Sequence, residues 1–495
     1  MAHSNASVAT SDALSRNEER AILTVTCLAA FLFFNSFGSI SVALPTIQKQ
    51  FGNSLAEIQW ITLMGVVTIS SLSFCFGRAG GRFGQRRLYK FGVVLYAMGA
   101  ALGALSNSFV QLLLARAVMA VGLAMALPMS TAILAASFAP VRRGHVLGLF
   151  ASAIAVGRMT GPAIGGFLLQ LGGWPWIFWM NGIVGFLVSV GVVKIFRGPG
   201  LQSREPFDGW GALALLVGYP ALLIGLTLGS NFGWTSQRVV GSFALAAIGL
   251  FGFGWIELRA ARPLVDIAMF KRGMLASALA ASVLSHLISN PIALCAPIYL
   301  QNALGASAVS SGLLLAILPL STALASPLSG RLADQLEAWK VSAAGLAVIV
   351  AGIAFYAALG RESALWSASA ALALLGLGVG FFTPANQKVA FASVGQEDYG
   401  VLAAMLSSFG TAAGTIGTTI TVALMESAAG PKLWTEPAAL ASAQQFAFAC
   451  LVPVGLLTVW IAVRCQPGLA EAGGGGVDNH RETASRASTR SRGEK

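Results

Sequence analysis

Apolar residues in this chain come in long uninterrupted runs, not in the short stripes of a soluble helix or the alternation of a half-buried strand. A charge-free run of about 18 residues or more can cross the hydrocarbon core of a membrane as a helix. Fourteen such runs lie near 21–48, 56–77, 91–109, 111–138, 146–170, 174–194, 209–230, 238–257, 273–302, 307–330, 340–360, 363–387, 400–426 and 438–463. The pattern predicts an all-α membrane protein with 14 transmembrane helices.

The basic residues test this count, because short cytoplasmic loops collect lysine and arginine. With both termini inside, 25 of the 31 basic residues lie on the inner side and four lie on the outer side. The last two, Arg116 and Arg158, fall within spans four and five. The asymmetry predicts a multi-pass protein of the cytoplasmic membrane with both termini cytoplasmic. It also explains the net charge of +12 as membrane orientation, so we predict no nucleic-acid partner.

Composition agrees with a membrane protein. Hydrophobic residues make up 56% of the chain and charged residues only 10%, whereas soluble domains are about one quarter charged. The five cysteines show no CxxC spacing, so we expect buried apolar residues and no metal site. No GxxxxGK[ST] phosphate loop occurs, which argues against ATP as the energy source. We therefore predict a protein that is not an enzyme and has no cofactor.

An internal repeat divides the chain into two copies. GRAGGR after span two and GRLADQ after span ten begin 253 residues apart, at Gly77 and Gly330. Gly157 and Gly161 match Gly410 and Gly414 at the same offset. Repeats with parallel topology are one of the architectures of secondary transporters. The predicted domains are a cytoplasmic tail (1–20), a six-helix bundle (21–197), inserted helices seven and eight (209–258), a second six-helix bundle (273–464) and a disordered cytoplasmic tail (466–495).

Four stretches carry a family resemblance: GRAGGRFGQRR at 77–87, ARAVMAVGLAMA at 115–126, GRMTGPAIGG at 157–166 and WPWIFWMNGIVG at 174–185. Together they resemble the major facilitator superfamily, in particular its fourteen-helix drug:proton antiporters. The resemblance implies cytoplasmic gating loops that contain Gly77, Arg82, Gly84, Arg86 and Arg87 in the first half and Gly330, Arg331 and Asp334 in the second. It also implies close helix packing at the antiporter motif, through Gly157, Gly161, Pro162, Gly165 and Gly166.

Two acidic positions of that family are changed, which makes this a divergent member. Ser36 stands where the first helix usually carries an acid. Gly81 stands at the acidic position of the first-half loop motif, although the second-half copy keeps Asp334. These departures bear on proton coupling more than on the fold.

Three charged or titratable residues inside spans are candidates for substrate binding or coupling: Arg116, Arg158 and His286. A cation at mid-membrane costs at least about 2.5–3.5 kcal/mol on insertion scales, so both arginines should face a cavity, a carbonyl or an anion. They could attract an anionic substrate group, or they could bond carbonyls freed by helix kinks or extend towards the interface. His286 is the only histidine inside a span, and either proton coupling or a structural hydrogen bond would explain it.

We predict a secondary active exporter of small amphipathic compounds that works by alternating access, with proton antiport. The alternative is a carrier or exchanger of an anionic metabolite that uses Arg116 and Arg158; a third reading is a membrane sensor without transport. The expected partners are membrane lipids, a small-molecule substrate and protons. We expect a monomer, and a periplasmic adaptor is left open.

Overall fold

The computed structural model describes residues 15–196, 209–259, 273–430, 433 and 436–464. Within these residues the chain is helical, with turns between helices and no strand. The helices are α1 (Arg16–Phe51), α2 (Leu55–Phe83), α3 (Gln85–Ala104), α4 (Phe109–Ser137), α5 (Pro140–Gly172), α6 (Pro175–Ile195), α7 (Gly209–Phe232), α8 (Gln237–Arg259), α9 (Gly273–Ser289), α10 (Ile292–Ile298), α11 (Ala308–Leu315), α12 (Ile317–Gln335), α13 (Ala338–Ala357), α14 (Leu365–Ala392), α15 (Tyr399–Ala429) and α16 (Pro437–Arg464). The segments 1–14 and 466–495, predicted as tails, lie outside the described residues.

Thirteen segments of the described chain are long and apolar enough to cross a membrane. The prediction of an all-helical, multi-pass chain is therefore confirmed. The predicted span at 91–109 corresponds to α3, which begins with the polar sequence Gln-Arg-Arg-Leu-Tyr-Lys and is not among the thirteen. The count of fourteen stays a prediction.

Several helices extend past the predicted spans into polar sequence. The first begins at Arg16, where a tail was predicted to run to residue 20. Ser15 caps it: its hydroxyl accepts from the Glu18 N–H at 3.2 Å, and the Glu18 carboxylate accepts from the Ser15 N–H at 3.0 Å. At the end of the second helix, Gly84 has a φ of 95°, which favours glycine. Absence of charge marks the hydrocarbon core, whereas capping residues mark where a helix begins and ends.

The predicted ninth span is not one continuous helix. α9 ends at Ser289, and Asn290 and Pro291 form a turn before α10. Proline has no N–H to donate to the preceding turn and its ring clashes with that turn, so the helix is interrupted there. A π-helical turn, Tyr299–Ala303, then completes the span. The interruption lies one turn after His286.

Buried apolar side chains form two main clusters. One contains residues of α9 to α16 and the segment between α15 and α16, without any from the first eight helices. The other is centred on α1 to α6 and includes α7 and parts of α9, α14 and α15. The α7–α8 hairpin contacts α2 and α15, so it touches a helix of each sequence repeat. The Tyr219 hydroxyl of α7 donates to the Ser408 carbonyl of α15.

Close approach of α1 and α5 depends on glycines of the antiporter motif. A Cβ at Gly161 would lie 2.6 Å from the Asn35 carbonyl oxygen, and one at Gly157 would lie 2.5 Å from the Phe31 carbonyl oxygen. Gly165 faces the Ser39 backbone in the same way. Small residues at four-residue spacing let two membrane helices come into backbone contact. The predicted packing role therefore has a defined partner in α1.

The fourth motif glycine differs from the other three. A Cβ at Gly166 would meet no atom within 4 Å, so Gly166 does not take part in this contact with α1, and its packing role stays a prediction. The reason is helical geometry, because a one-residue step rotates a side chain about 100° away from Gly165. Pro162 does contribute, since its ring packs against Gly38 of α1.

Substitution of these glycines should show which of them the contact between α1 and α5 requires. Gly161→Ala places a methyl group against α1, and we expect a loss of about 1–3 kcal/mol of stability from overpacking. Gly166→Ala is the matched control, with an expected change within about 0.5 kcal/mol. Apparent melting temperatures of the purified variants in one detergent measure both. Equal melting temperatures for the two variants would contradict the assignment.

Candidate functional site

Arg158 lies near the middle of the membrane-spanning length of α5. It is 18 residues from the start of the helix and 14 from its end, or roughly 27 Å and 21 Å along the axis. Its side chain is exposed, and its guanidinium carbon lies 4.8 Å from the centroid of the Phe34 ring in α1. No carboxylate of a described residue lies within 4 Å of it. A cation at this depth requires an aqueous space or an anion.

His286 belongs to α9, in the second sequence repeat. Its ring lies within electrostatic range of the Arg158 charge. His286 Nδ1 lies 2.8 Å from the Ser282 carbonyl oxygen one turn earlier. A proton on Nδ1 satisfies this carbonyl, which leaves Nε2 free to accept or bind a second proton. The structure therefore brings together two of the three predicted candidates.

Glycines of α15 hold this part of α9 in place. The His286 ring packs on Gly410, where a Cβ would lie 3.1 Å from Nε2, and Asn290 packs on Gly414. These two glycines are the repeat partners of Gly157 and Gly161. Glycines at the same spacing thus occur in both repeats. Those of α15 contact a histidine and an asparagine side chain instead of a helix backbone. We call Arg158, Phe34, His286 and Asn290 the central site.

A polar network fixes the position of Phe34 and its helix. The amide nitrogen of Asn35 donates to Thr160 at 3.1 Å, and Ser39 donates to the Gly161 carbonyl at 2.8 Å. Asn35 and Ser39 are fully buried. Buried polar groups whose bonds are all satisfied give helices a single register. Sequence reasoning missed this network; the signals were Asn35 and Ser39, one helical turn apart in a span without charges.

Arg116 lies apart from the central site, in a cavity within the first repeat. It is 5% exposed, and its Nε donates to the Ile61 carbonyl at 3.4 Å. Ser36 and Tyr96 also line this cavity. The ring of Phe37, another lining residue, is centred 6.2 Å from the ring of Phe34. Arg116 and Arg158 contact different residues, Ile61 and Met119 in the one case and Phe34 in the other.

Asp334 joins the two repeats at one end of the helices. Its carboxylate accepts hydrogen bonds from the backbone N–H groups of Gly144 at 2.9 Å and His145 at 2.8 Å, near the start of α5. Lys388 of α14 lies 2.6 Å away and also donates to the Ala333 carbonyl at 2.8 Å. A negative charge is favourable near a helix N-terminus. We call this side of the protein the Asp334 end.

Glycines bring the backbones into contact at the same end. The chains at Gly144 and Gly330 approach so closely that a Cβ on either would clash with the other. Gly77 of α2 meets Gly400 of α15 in the same manner. Further along, Ser152 donates to the Ala323 carbonyl at 2.7 Å. Beyond that level Arg158, Pro162 and Asn290 are exposed.

The predicted loop arginines occupy the surface of the Asp334 end. Arg82 lies over Phe83 at 5.6 Å, and Arg87 lies over Phe91 at 6.0 Å. Arg331 is exposed and Arg86 is partly exposed. Two ion pairs were not predicted: Arg78 with Asp398 at 3.7 Å, which joins the repeats, and Arg142 with Glu19 at 2.8 Å.

One buried cation at this end was also missed. Arg143 is 5% exposed, and its guanidinium lies 5.4 Å from the Tyr399 ring centroid, so α5 contacts α15 as well as α12. The sequence did not indicate that Arg143 is buried, because it resembles any other basic residue of a cytoplasmic loop.

Comparison with known proteins decides the family. The Major Facilitator Superfamily profile matches residues 26–293 and 278–487. The chain belongs to the major facilitator superfamily. As a major facilitator it is an integral membrane transporter and not an enzyme. The Asp334 end and the central site are thus parts of a transport protein.

Curated relatives of this major facilitator have low sequence identity to it. The multidrug transporter protein MdtP of Bacillus subtilis is 26% identical over 423 residues, 83% of this chain and 77% of the relative. The tetracenomycin C resistance and export protein of Streptomyces glaucescens is 28% identical over 401 residues, 80% and 74% of the two chains. The riboflavin transporter RibZ of Clostridioides difficile is 24% identical over 397 residues, 80% and 86%. The predicted resemblance to drug antiporters is confirmed, and the substrate remains open.

Solved structures agree on the fold. A double tryptophan mutant of XylE has a TM-score of 0.63 at 14% identity, over 91% of this chain and 96% of that chain. A bacterial homologue of ferroportin has a TM-score of 0.61 at 13% identity, over 90% and 99%. At these identities the likeness concerns the fold alone.

Loss of the Asp334 carboxylate should loosen this end. Asp334→Asn removes the charge that holds Lys388 and the α5 backbone, and breaking a buried pair costs about 3–5 kcal/mol. Spin labels at Val141 and Leu336, in a cysteine-free background, should show an increased long-distance population by double electron–electron resonance. Glu337→Gln is the control, because Glu337 pairs with Lys340 of its own helix. An unchanged distribution in Asp334→Asn would refute this role.

Proposed function

We propose that the protein is a secondary active exporter of small amphipathic compounds that works by alternating access with proton antiport. The observation that carries this proposal is the central site: an exposed Arg158 at mid-membrane depth over Phe34 of the same repeat, with the partly buried His286 of the other repeat within electrostatic range. Secondary transporters bind substrate near the bilayer midplane between their repeats. The relatives named as multidrug transporter and export protein support export.

The proposed architecture is two parallel six-helix bundles, with α7 and α8 as an inserted hairpin, and fourteen membrane crossings. α9 with α10 forms one crossing and α11 with α12 another. Both termini are cytoplasmic, so the Asp334 end faces the cytoplasm. The loops at this end carry most of the basic residues, in agreement with the positive-inside rule. The arrangement of contacts then corresponds to an outward-open state that is closed on the cytoplasmic side.

The cytoplasmic closure is the proposed gate. Asp334, with Gly330 beside it, holds the start of α5, and Gly77 brings α2 against α15. Arg82, Gly84, Arg86, Arg87 and Arg331 belong to the loops that must move when this side opens. Gly157, Gly161, Pro162 and Gly165 keep α1 and α5 together, so these helices move as one unit. The remaining proposals are a monomer with lipid, substrate and protons as partners.

Proton coupling is proposed to run through His286. Nδ1 is engaged by the Ser282 carbonyl, which leaves Nε2, beside Gly410 of α15, to take the second proton. A group that couples protons must change its charge near ambient pH and must be reached from alternate sides. A positively charged His286 beside Arg158 would disfavour a cationic substrate. Proton binding and cation binding therefore exclude one another, as antiport requires.

A second candidate follows from Arg158 itself. Its exposed guanidinium, with no carboxylate of a described residue within 4 Å, favours a substrate with an anionic group. The protein would then carry or exchange an anionic metabolite. Arg116 was expected to assist in this, but its separate cavity leaves Arg158 as the charge partner.

Transport by purified protein in liposomes distinguishes the two candidates. With a pH-sensitive dye trapped inside and a proton gradient imposed, cationic, neutral and anionic compounds are added in turn. Antiport predicts substrate-dependent proton movement that falls at least about tenfold in His286→Ala, since no other histidine lies at the central site. Arg361→Ala, in an exposed turn, is the control and should retain full activity.

Two results would contradict the antiport proposal. Flux of an anion without proton movement, lost in Arg158→Ala, would establish the carrier instead. Wild-type proton coupling in His286→Ala would show that another group carries the proton.

A further inference from the structure

The Arg116 cavity is a second polar site, distinct from the central site. Helices α1 to α4 enclose it, and its polar wall consists of Ser36, Tyr96 and Arg116, with Phe37, Gly65 and Met119 among the remaining lining residues. Its volume is about 10 Å³, which is close to the room needed by a single water-sized particle. An organic substrate is too large for it. The cavity therefore suits a ligand of one atom or a very small molecule.

The hydrogen-bonding capacity of Arg116 is only partly used by the protein. A guanidinium has five N–H donors. The Nε contact to the Ile61 carbonyl is long, at 3.4 Å, and the second contact is a weak one from Nη1 to the Met119 sulfur at 3.9 Å. No carboxylate of the described chain lies within 4 Å of Arg116. Donors thus face the cavity without a matching negative charge.

The neighbours of Arg116 leave room for a ligand and can contribute a donor. Gly65 faces the guanidinium, and a Cβ there would lie 3.2 Å from Nη2. The Tyr96 hydroxyl is used elsewhere, because it donates to the Asn181 side chain at 2.9 Å. Ser36 is 2% exposed and carries a hydroxyl at the cavity wall. One fixed cation and one neutral hydroxyl donor therefore converge on a volume of atomic size.

We propose that this cavity binds a single chloride ion, which neutralises Arg116. A buried cation is costly unless it is paired, and a water molecule would satisfy N–H groups without balancing the charge. Polyatomic anions such as sulfate exceed the volume. Chloride is a monatomic acceptor and matches the donor set. In this protein the ion takes the place of a carboxylate that the chain could otherwise supply from position 36.

A ligand that binds only the folded protein stabilises that protein. At ligand concentrations above the dissociation constant, the gain in stability is proportional to the logarithm of the concentration. The test is a thermal-unfolding series on the purified full-length protein, transferred from gluconate into chloride at constant ionic strength. The wild type should show a saturable rise in melting temperature with chloride. Bromide should act alike and sulfate should have no effect, because only the halides fit.

Three variants locate the effect. Arg116→Gln should lose the chloride response, because the cation is gone. Ser36→Asp should melt at the same temperature in gluconate and in chloride, because its own carboxylate pairs with Arg116. Arg158→Gln is the matched control and should keep the full response, since this arginine lies at the central site. Equilibrium binding of radioactive chloride to the folded wild type should give one ion per chain that Ser36→Asp removes.

The outcomes that overturn the proposal are distinct from failure of the transport hypothesis. A wild type without saturable chloride binding would mean that water fills the cavity. Retention of the response in Arg116→Gln, with its loss in Arg158→Gln, would move the anion site to the central site. None of these measurements depends on transport, so they remain decisive whatever the substrate and coupling ion are.

Discussion

The cost of a charged side chain in a low-dielectric layer is the constraint on which this structure depends. Arg116, Arg158 and Arg143 are each handled differently. The first lies in a cavity of atomic size, the second is exposed beside the Phe34 ring, and the third lies against an aromatic ring where α5 meets α15. Each solution requires that neighbouring helices leave or fill a defined volume. The positions of these cations therefore constrain how α1 to α5 can pack.

The two repeats use the same backbone device for different purposes. In α5, glycines at four-residue spacing receive the backbone of α1, and a buried network of Asn35 and Ser39 fixes the register. In α15 the equivalent glycines receive the side chains of His286 and Asn290. Equivalent glycines of the two repeats thus receive a helix backbone in one repeat and two polar side chains in the other.

Much of the fold could be predicted from the sequence because lipid imposes a strong rule on it. Helices that cross a membrane must be long and apolar, so most of their positions along the chain could be predicted from its apolar runs. Gly157 and Gly161 predicted a packing face. The limits of that approach are physical. Hydropathy does not show that Asn290 and Pro291 interrupt a span, or that Gly166 lies off the contact face. It also cannot place Arg158 beside His286, because that meeting depends on how two repeats distant in sequence pack together.

The contact at Asp334 has a consequence for how the sequence at this end of the protein can evolve. Its carboxylate binds main-chain N–H groups at Gly144 and His145, which every residue except proline provides. The residue at position 145 could therefore be substituted during evolution without loss of these hydrogen bonds. Residue 144 is different, because the opposing backbone at Gly330 leaves no room for a Cβ. Selection at this junction should act on volume at position 144 and on a single acid, and only weakly on the side chain at position 145.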